Sequence, residues 1–261
     1  MNAWLALTKK ELRLGFPVFI FALIMEIGLV LGSYYIGRTF GFEKEMILSA
    51  SVVILLIHSL FLFFYMIYSL SYERNRLHLW LHNPMPIAGL LTSKLVSGLV
   101  FMSITFFSFL IFSLLFFQNN FEFFNEQTLF NISITSVVGI YFTALSAAII
   151  FIFFWSIYLT LGKWMHEFFS FILTIILFIL VMTGYEYVIH SPLMINLTQW
   201  GAIEVEDIFA DFEFMISSEQ FGVQANWDSV LFYTGEYIVD AIAIILLFIA
   251  ACWIIDRKVE V

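Results

Sequence analysis

Glu26 and His58 are ionisable residues inside stretches that are otherwise apolar. An ionisable group in hydrocarbon turns toward protein or a water-filled cavity and takes a partner. Glu26 lies about 13 Å from the start of the apolar stretch 17–37, at 1.5 Å per helical residue. His58 lies about 18 Å from the start of the stretch 46–70. If the two stretches run antiparallel, both residues reach similar depth. They are expected to face each other or a shared polar cavity, as pathway residues or as a structural hydrogen bond between helices. Glu236 and Asp240 stand at i, i+4 in the last apolar stretch and share a helix face. They are candidates to line a vestibule or, with Tyr233 and Tyr237, to anchor that end at an interface.

Other chemistry is sparse. His78 and His82 have a spacing compatible with zinc, but no Glu follows His78 as in a metalloprotease helix and no third ligand is evident. The sequence holds no phosphate-binding Gly-x-x-x-x-Gly-Lys-Ser/Thr loop and no Gly-x-Ser-x-Gly elbow. Cys252 is the single cysteine, so no internal disulfide is possible. The expectation is a non-enzyme that binds no metal or cofactor of its own.

The elements that must position these residues are written for lipid. Apolar residues are 62% of the chain and charged ones 12%, well away from soluble domains. Six apolar stretches, about 17–37, 46–70, 95–117, 131–161, 168–189 and 230–255, match a bilayer core of ~30 Å. The fold class predicted is an all-α polytopic membrane protein forming a single domain. With six crossings, Lys9, Lys10, Arg13, Arg74, Arg76, Lys94, Lys163, Arg257 and Lys258 fall on one side, and only Arg38 and Lys44 on the other. Basic loops stay inside, so both termini are expected in the cytoplasm of a cell-membrane protein. The loop 190–228 holds seven acids and no Lys or Arg. The net charge of −9 therefore reflects outer loops; the partner implied is membrane lipid, with no nucleic acid.

Three segments outside the spans carry pattern. Residues 4–16 read as an interfacial helix with Trp4 at the headgroups, Lys9, Lys10 and Arg13 on one face, and Pro17 allowing a turn into the first span. Residues 203–216 place Val205, Ile208, Phe209, Phe212 and Ile216 near helical spacing among acids, which predicts an acidic amphipathic helix over the outer face. In the connection 71–93, Leu77, Trp80 and Leu81 form a short helical stripe flanked by Arg74 and Arg76 and ended by Pro84 and Pro86. That stripe is either an anchor for a protein groove or a Trp dipped into the lipid interface.

The connection and the overall layout resemble the permease subunit of ABC-2 type transporters, in its small Gram-positive bacterial form. The likeness spans nearly the whole chain with loose motifs. It rests on the start from Trp4 to Leu12 and on Glu73 and Arg74 followed by Trp80 and Leu81. Then come Pro84, Met85 and Pro86, the run from Leu90 to Leu95 with Lys94, and the tail from Trp253 to Val261. The resemblance implies that a separate ATPase subunit, holding ATP and Mg, docks on a coupling helix within 71–94. That coupling site would comprise Glu73, Arg74, Arg76, Leu77, Trp80, Leu81 and Pro84. It also implies a second permease subunit, identical or related, and rocking between inward-facing and outward-facing states. The alternative reading is a non-transporting sensor that takes ligands through the outer segment 190–229.

Overall fold

The computed structural model describes residues 3–74, 85–120, 126–207, 212–216, 221–225 and 228–259. Its helices in chain order are α1 (Ala3–Phe40), α2 (Glu43–Ser59), α3 (Phe61–Arg74), α4 (Ile87–Asn120), α5 (Glu126–Leu161), α6 (Glu167–Ile189), α7 (Pro192–Thr198) and α8 (Thr234–Ile254). A π-helical turn, Ile255–Val259, follows α8. Among the described residues five helices are long and apolar enough to cross a membrane: α1, α4, α5, α6 and α8. The pair α2–α3 meets the same test jointly and is bent by 44°. Large apolar side chains such as Phe21, Ile24, Phe171 and Leu246 face outward, as in a membrane-embedded protein.

The bend at Leu60 has a local cause. His58 Nδ1 lies 2.9 Å from the carbonyl of Ile54, and the Ser59 hydroxyl donates to the carbonyl of Leu56. Consecutive side chains that bond back onto the preceding turn compete with the backbone ladder and bend a helix. The Leu60 amide then reaches Ile57 instead of continuing the α pattern. The stretch 46–70 is therefore two helices.

The interfacial start is not a separate element, contrary to the expectation from Pro17. Helix α1 is 38 residues long and runs straight through that proline. Pro17 removes one backbone bond, an interruption that neighbouring helices make tolerable in membrane proteins. Here Phe19, two residues on, stacks on Phe101 of α4 at 5.0 Å between centroids.

The core lies where α3, α4 and α5 meet the end of α8, around Leu62, Met66, Leu91, Met102, Ile152 and Ile255. Ala144 and Ala148, fully buried one turn apart on α5, allow close helix packing. Tyr65 fills the junction of α1, α3 and α4. A Cβ added at Gly15 or at Gly98 would stand 2.6 Å from the Tyr65 ring, so both glycines are needed for three helices to approach it.

In place of the acidic helix expected over residues 203–216, the described residues 202–207 and 212–216 are strands appended to an otherwise helical chain. Strands β1 (Ala202–Asp207) and β4 (Asp228–Tyr233) pair antiparallel, as do β2 (Phe212–Ile216) and β3 (Phe221–Ala225). In register, Ala202 opposes Tyr233 and Phe212 opposes Ala225. The sequence explains it: Ile203 and Val205 alternate with Glu204 and Glu206, and Phe212, Phe214 and Ile216 with Glu213 and Met215. Period-2 alternation of β-branched and aromatic residues favours strands, and the apolar spacing that suggested a helix is ambiguous over so short a run. Ile208, Phe209 and Asp211 lie outside the described residues. Gly201, at φ +65°, turns the chain from α7 into β1.

Candidate functional site

Two polar sites interrupt the apolar bundle. The larger gathers at the N-terminal end of α1. It lies at the roots of segment 75–84, where α3 ends and α4 begins. Helix α1 supplies Lys10 and Glu11. Tyr65, Ser69 and Glu73 recur every four residues on α3 and so share one face. Helix α4 supplies Lys94 and Ser97.

Lys94 is wholly buried, and its Nζ donates to Glu11 Oε2 at 2.8 Å and to Ser69 Oγ at 2.9 Å. Glu73 Oε2 lies 3.1 Å from the same ammonium. Ser69 donates on to Glu11 Oε2 at 3.3 Å. Lys10 Nζ closes the group, donating to Glu73 Oε1 at 3.1 Å and standing 3.7 Å from Glu11 Oε1. Burial disfavours the Lys10 charge, but the hydrogen bond to Glu73 and the two carboxylate charges outweigh it and hold its pKa above the ordinary lysine value. Two carboxylates and two ammoniums make the cluster neutral. Removing ions from water costs several kcal/mol each, and only close pairing with further hydrogen bonds offsets that cost. The geometry supplies both, and so fixes three helices to one another. Ser97 adds a bond to the Thr8 carbonyl at 3.3 Å, and Tyr65 OH reaches the Glu11 carbonyl at 3.5 Å.

One residue beyond Glu73, the Arg74 guanidinium meets Glu167 at 2.6 Å and lies over the Tyr158 ring, 5.4 Å from its centroid. The end of α3 is thereby tied to the start of α6 and to α5. The hydrogen bond from Arg74 holds the exposed Glu167 below the ordinary glutamate range.

The second site is mid-bundle. Glu26 Oε2 on α1 stands 3.9 Å from His58 Nε2 in the last turn of α2. Thr105 Oγ1 of α4 lies 3.2 Å from the same nitrogen, and the Ser108 hydroxyl lies 3.4 Å from Glu26 Oε1. Phe106 and Phe109 flank the imidazole at 5.5 and 6.2 Å between centroids.

The remaining sequence candidates divide. Lys9 and Arg13 are exposed and Trp4 is half-buried on α1. Asp240 accepts a short hydrogen bond from Tyr185 of α6, while Glu236 is exposed one turn earlier. Arg76, Leu77, Trp80, Leu81 and Pro84 lie outside the described residues, as do His78 and His82. Among the described residues no group of three His, Cys, Asp or Glu gathers as a metal site would require. Sequence reasoning did not bring Glu11 and Lys94 together. Their signal was present as a polar stripe in apolar helices, Ser69 and Glu73 on one and Ser93, Lys94 and Ser97 on the next.

Long apolar helices joined by buried polar contacts define a helical membrane-embedded protein. Comparison with protein-family models, with curated proteins and with solved structures finds no match.

Proposed function

We propose that this chain is the membrane-spanning permease subunit of an ABC-2 type transporter, an exporter in a bacterial cell membrane. It crosses six times with both termini cytoplasmic, the bent α2–α3 pair counting as one span. A separate ATPase, holding ATP and Mg, docks on segment 75–84 through Leu77, Trp80 and Leu81. A second permease subunit completes the pathway. The observation that carries this reading is the Glu11–Lys94–Glu73 cluster. It clamps both roots of the docking segment, Glu73 before it and Lys94 after it, to α1. A push on that segment is then delivered to three helices together. The Arg74–Glu167 bridge extends the connection to α6.

The test is co-purification of the tagged chain with an ATPase and measurement of its coupled turnover. Trp80→Asp is expected to lose the ATPase or its coupling by at least about tenfold, the cost of burying one unpaired charge at an interface anchor. Normal coupling after replacement of all of 71–86 would sink the proposal. The sensor reading draws on the outer segment 190–229, whose described residues include strands β1 to β3 and no membrane-crossing helix. It requires ligand-dependent signalling with no ATPase partner and no flux.

A further inference from the structure

His58 Nδ1 faces a backbone carbonyl, Ile54 O at 2.9 Å, so that nitrogen must carry a hydrogen. The neutral ring therefore presents a lone pair at Nε2. Facing it is Glu26 Oε2, which is buried and makes no hydrogen bond among the described residues. Without an added proton Nε2 and Oε2 meet lone pair to lone pair, and the carboxylate charge keeps only the Ser108 hydroxyl on its other oxygen. That arrangement is costly in a poorly solvated interior. One proton cures it in either of two places. On Oε2 it donates to Nε2; on Nε2 it makes an imidazolium paired with the carboxylate. Between the two states the O–H bond breaks, its electron pair stays on the carboxylate and an N–H bond forms. The proton is supplied by water, and nothing is oxidised or reduced.

The setting ties this proton to shape. The separation of 3.9 Å exceeds a hydrogen bond by roughly 1 Å. Closing it draws α1 toward the last turn of α2, two residues before the break at Leu60. From the other packed elements, α4 turns hydroxyls Thr105 and Ser108 and rings Phe106 and Phe109 to the site. Helix α5 brings the titratable Tyr141, whose ring meets Phe106 edge-on at 5.9 Å and whose hydroxyl donates to Ser103. We propose that Glu26 and His58 form a one-proton binding site, and that loading it closes α1 onto the bend and resets the angle between α2 and α3. This inference goes beyond the transport reading and stands without the ATPase.

The experiment uses the full chain in lipid nanodiscs with ring-15N histidine and Cys252 replaced by serine. In a pH series the resonance lost in His58→Gln is expected to be Nδ1-protonated. At a pH where that ring is partly imidazolium, Glu26→Gln is expected to lower the imidazolium-to-neutral ratio by about tenfold or more, the effect of a one-unit change. Ser108→Ala, which removes one hydrogen bond to the carboxylate and leaves both partners, lowers it less. Spin labels at Val53 and Tyr68, on either side of the bend, are expected to change separation over the same pH range in the parent and not in Glu26→Gln. An Nε2-protonated ring, a titration indifferent to both substitutions, or a separation that ignores pH or responds equally in Glu26→Gln would overturn the proposal.

Discussion

The two polar sites solve the same problem in opposite ways. At the roots of segment 75–84, two carboxylates and two ammoniums neutralise one another, with contacts to Lys94 of 2.8 to 3.1 Å. At mid-bundle, one carboxylate and one imidazole stand 3.9 Å apart, and neutrality depends on a proton. The first is a brace, because opening it strips the buried Lys94, Glu11 and Glu73 of their partners in a poor solvent. The second is a hinge catch, because a single proton changes what its members can do. A transporter of the proposed kind needs both, a rigid link that carries force and a compliant point that yields to it.

Breaking the brace gives the largest effect. Lys94→Met takes the buried partner from Glu11 and Glu73 and leaves them only the exposed Lys10, at a cost of about 3–5 kcal/mol. A fall in thermal stability in detergent and in yield from the membrane should report it. Adding Glu11→Gln to Lys94→Met should restore part of that loss. Glu26→Gln is the control from the other site, where Oε2 has no bond to lose; it should cost less than about 1 kcal/mol. Equal losses at both sites would erase the distinction.

Next comes the packing that seats the brace. Gly98→Val or Gly15→Val drives a side chain into the Tyr65 ring and should cost about 1–3 kcal/mol, read from the same melting curves. Unchanged melting would mean that the helices around Tyr65 have room to part.

The smallest effect belongs to the exposed Arg74–Glu167 bridge. Glu167→Gln should leave the melting temperature nearly unchanged, since solvent screens such pairs. Its pH dependence has a definite sign. Glu167 is depressed in the folded chain, so its contribution is complete above the ordinary value of 4.5 and fades as pH falls through the lower folded value. A melting difference between Glu167→Gln and the parent that grew toward acid would contradict this.

Much of this was legible in the sequence. Hydropathy located the long helices, because twenty apolar residues are an unambiguous length of helix in lipid. Counting residues put Glu26 and His58 at one depth, because helical rise is fixed. The brace was not legible: whether Glu11, Glu73 and Lys94 meet depends on the rotation of three helices, which no single stretch encodes. The bend at Leu60 was written in His58 and Ser59, but as side-chain bonds to carbonyls that hydropathy does not see. Pro17 allows a turn by its type, yet α1 continues through it as a tolerated interruption. In the acidic segment Glu alternating with Ile, Val and Phe fits two periodicities over six residues, so the period is ambiguous there.

The most direct measurement is the distance between spin labels at Tyr35 on α1 and Ile111 on α4, in complex with the co-purified ATPase and the Cys252→Ser background. It is taken with and without ATP trapped by vanadate, in the parent and in a variant carrying Glu11→Gln, Glu73→Gln and Lys94→Met together. The account predicts that trapping changes the distance in the parent, and that the neutralised variant hydrolyses ATP with no change in distance. The same change in both proteins would show that the brace does not carry the push.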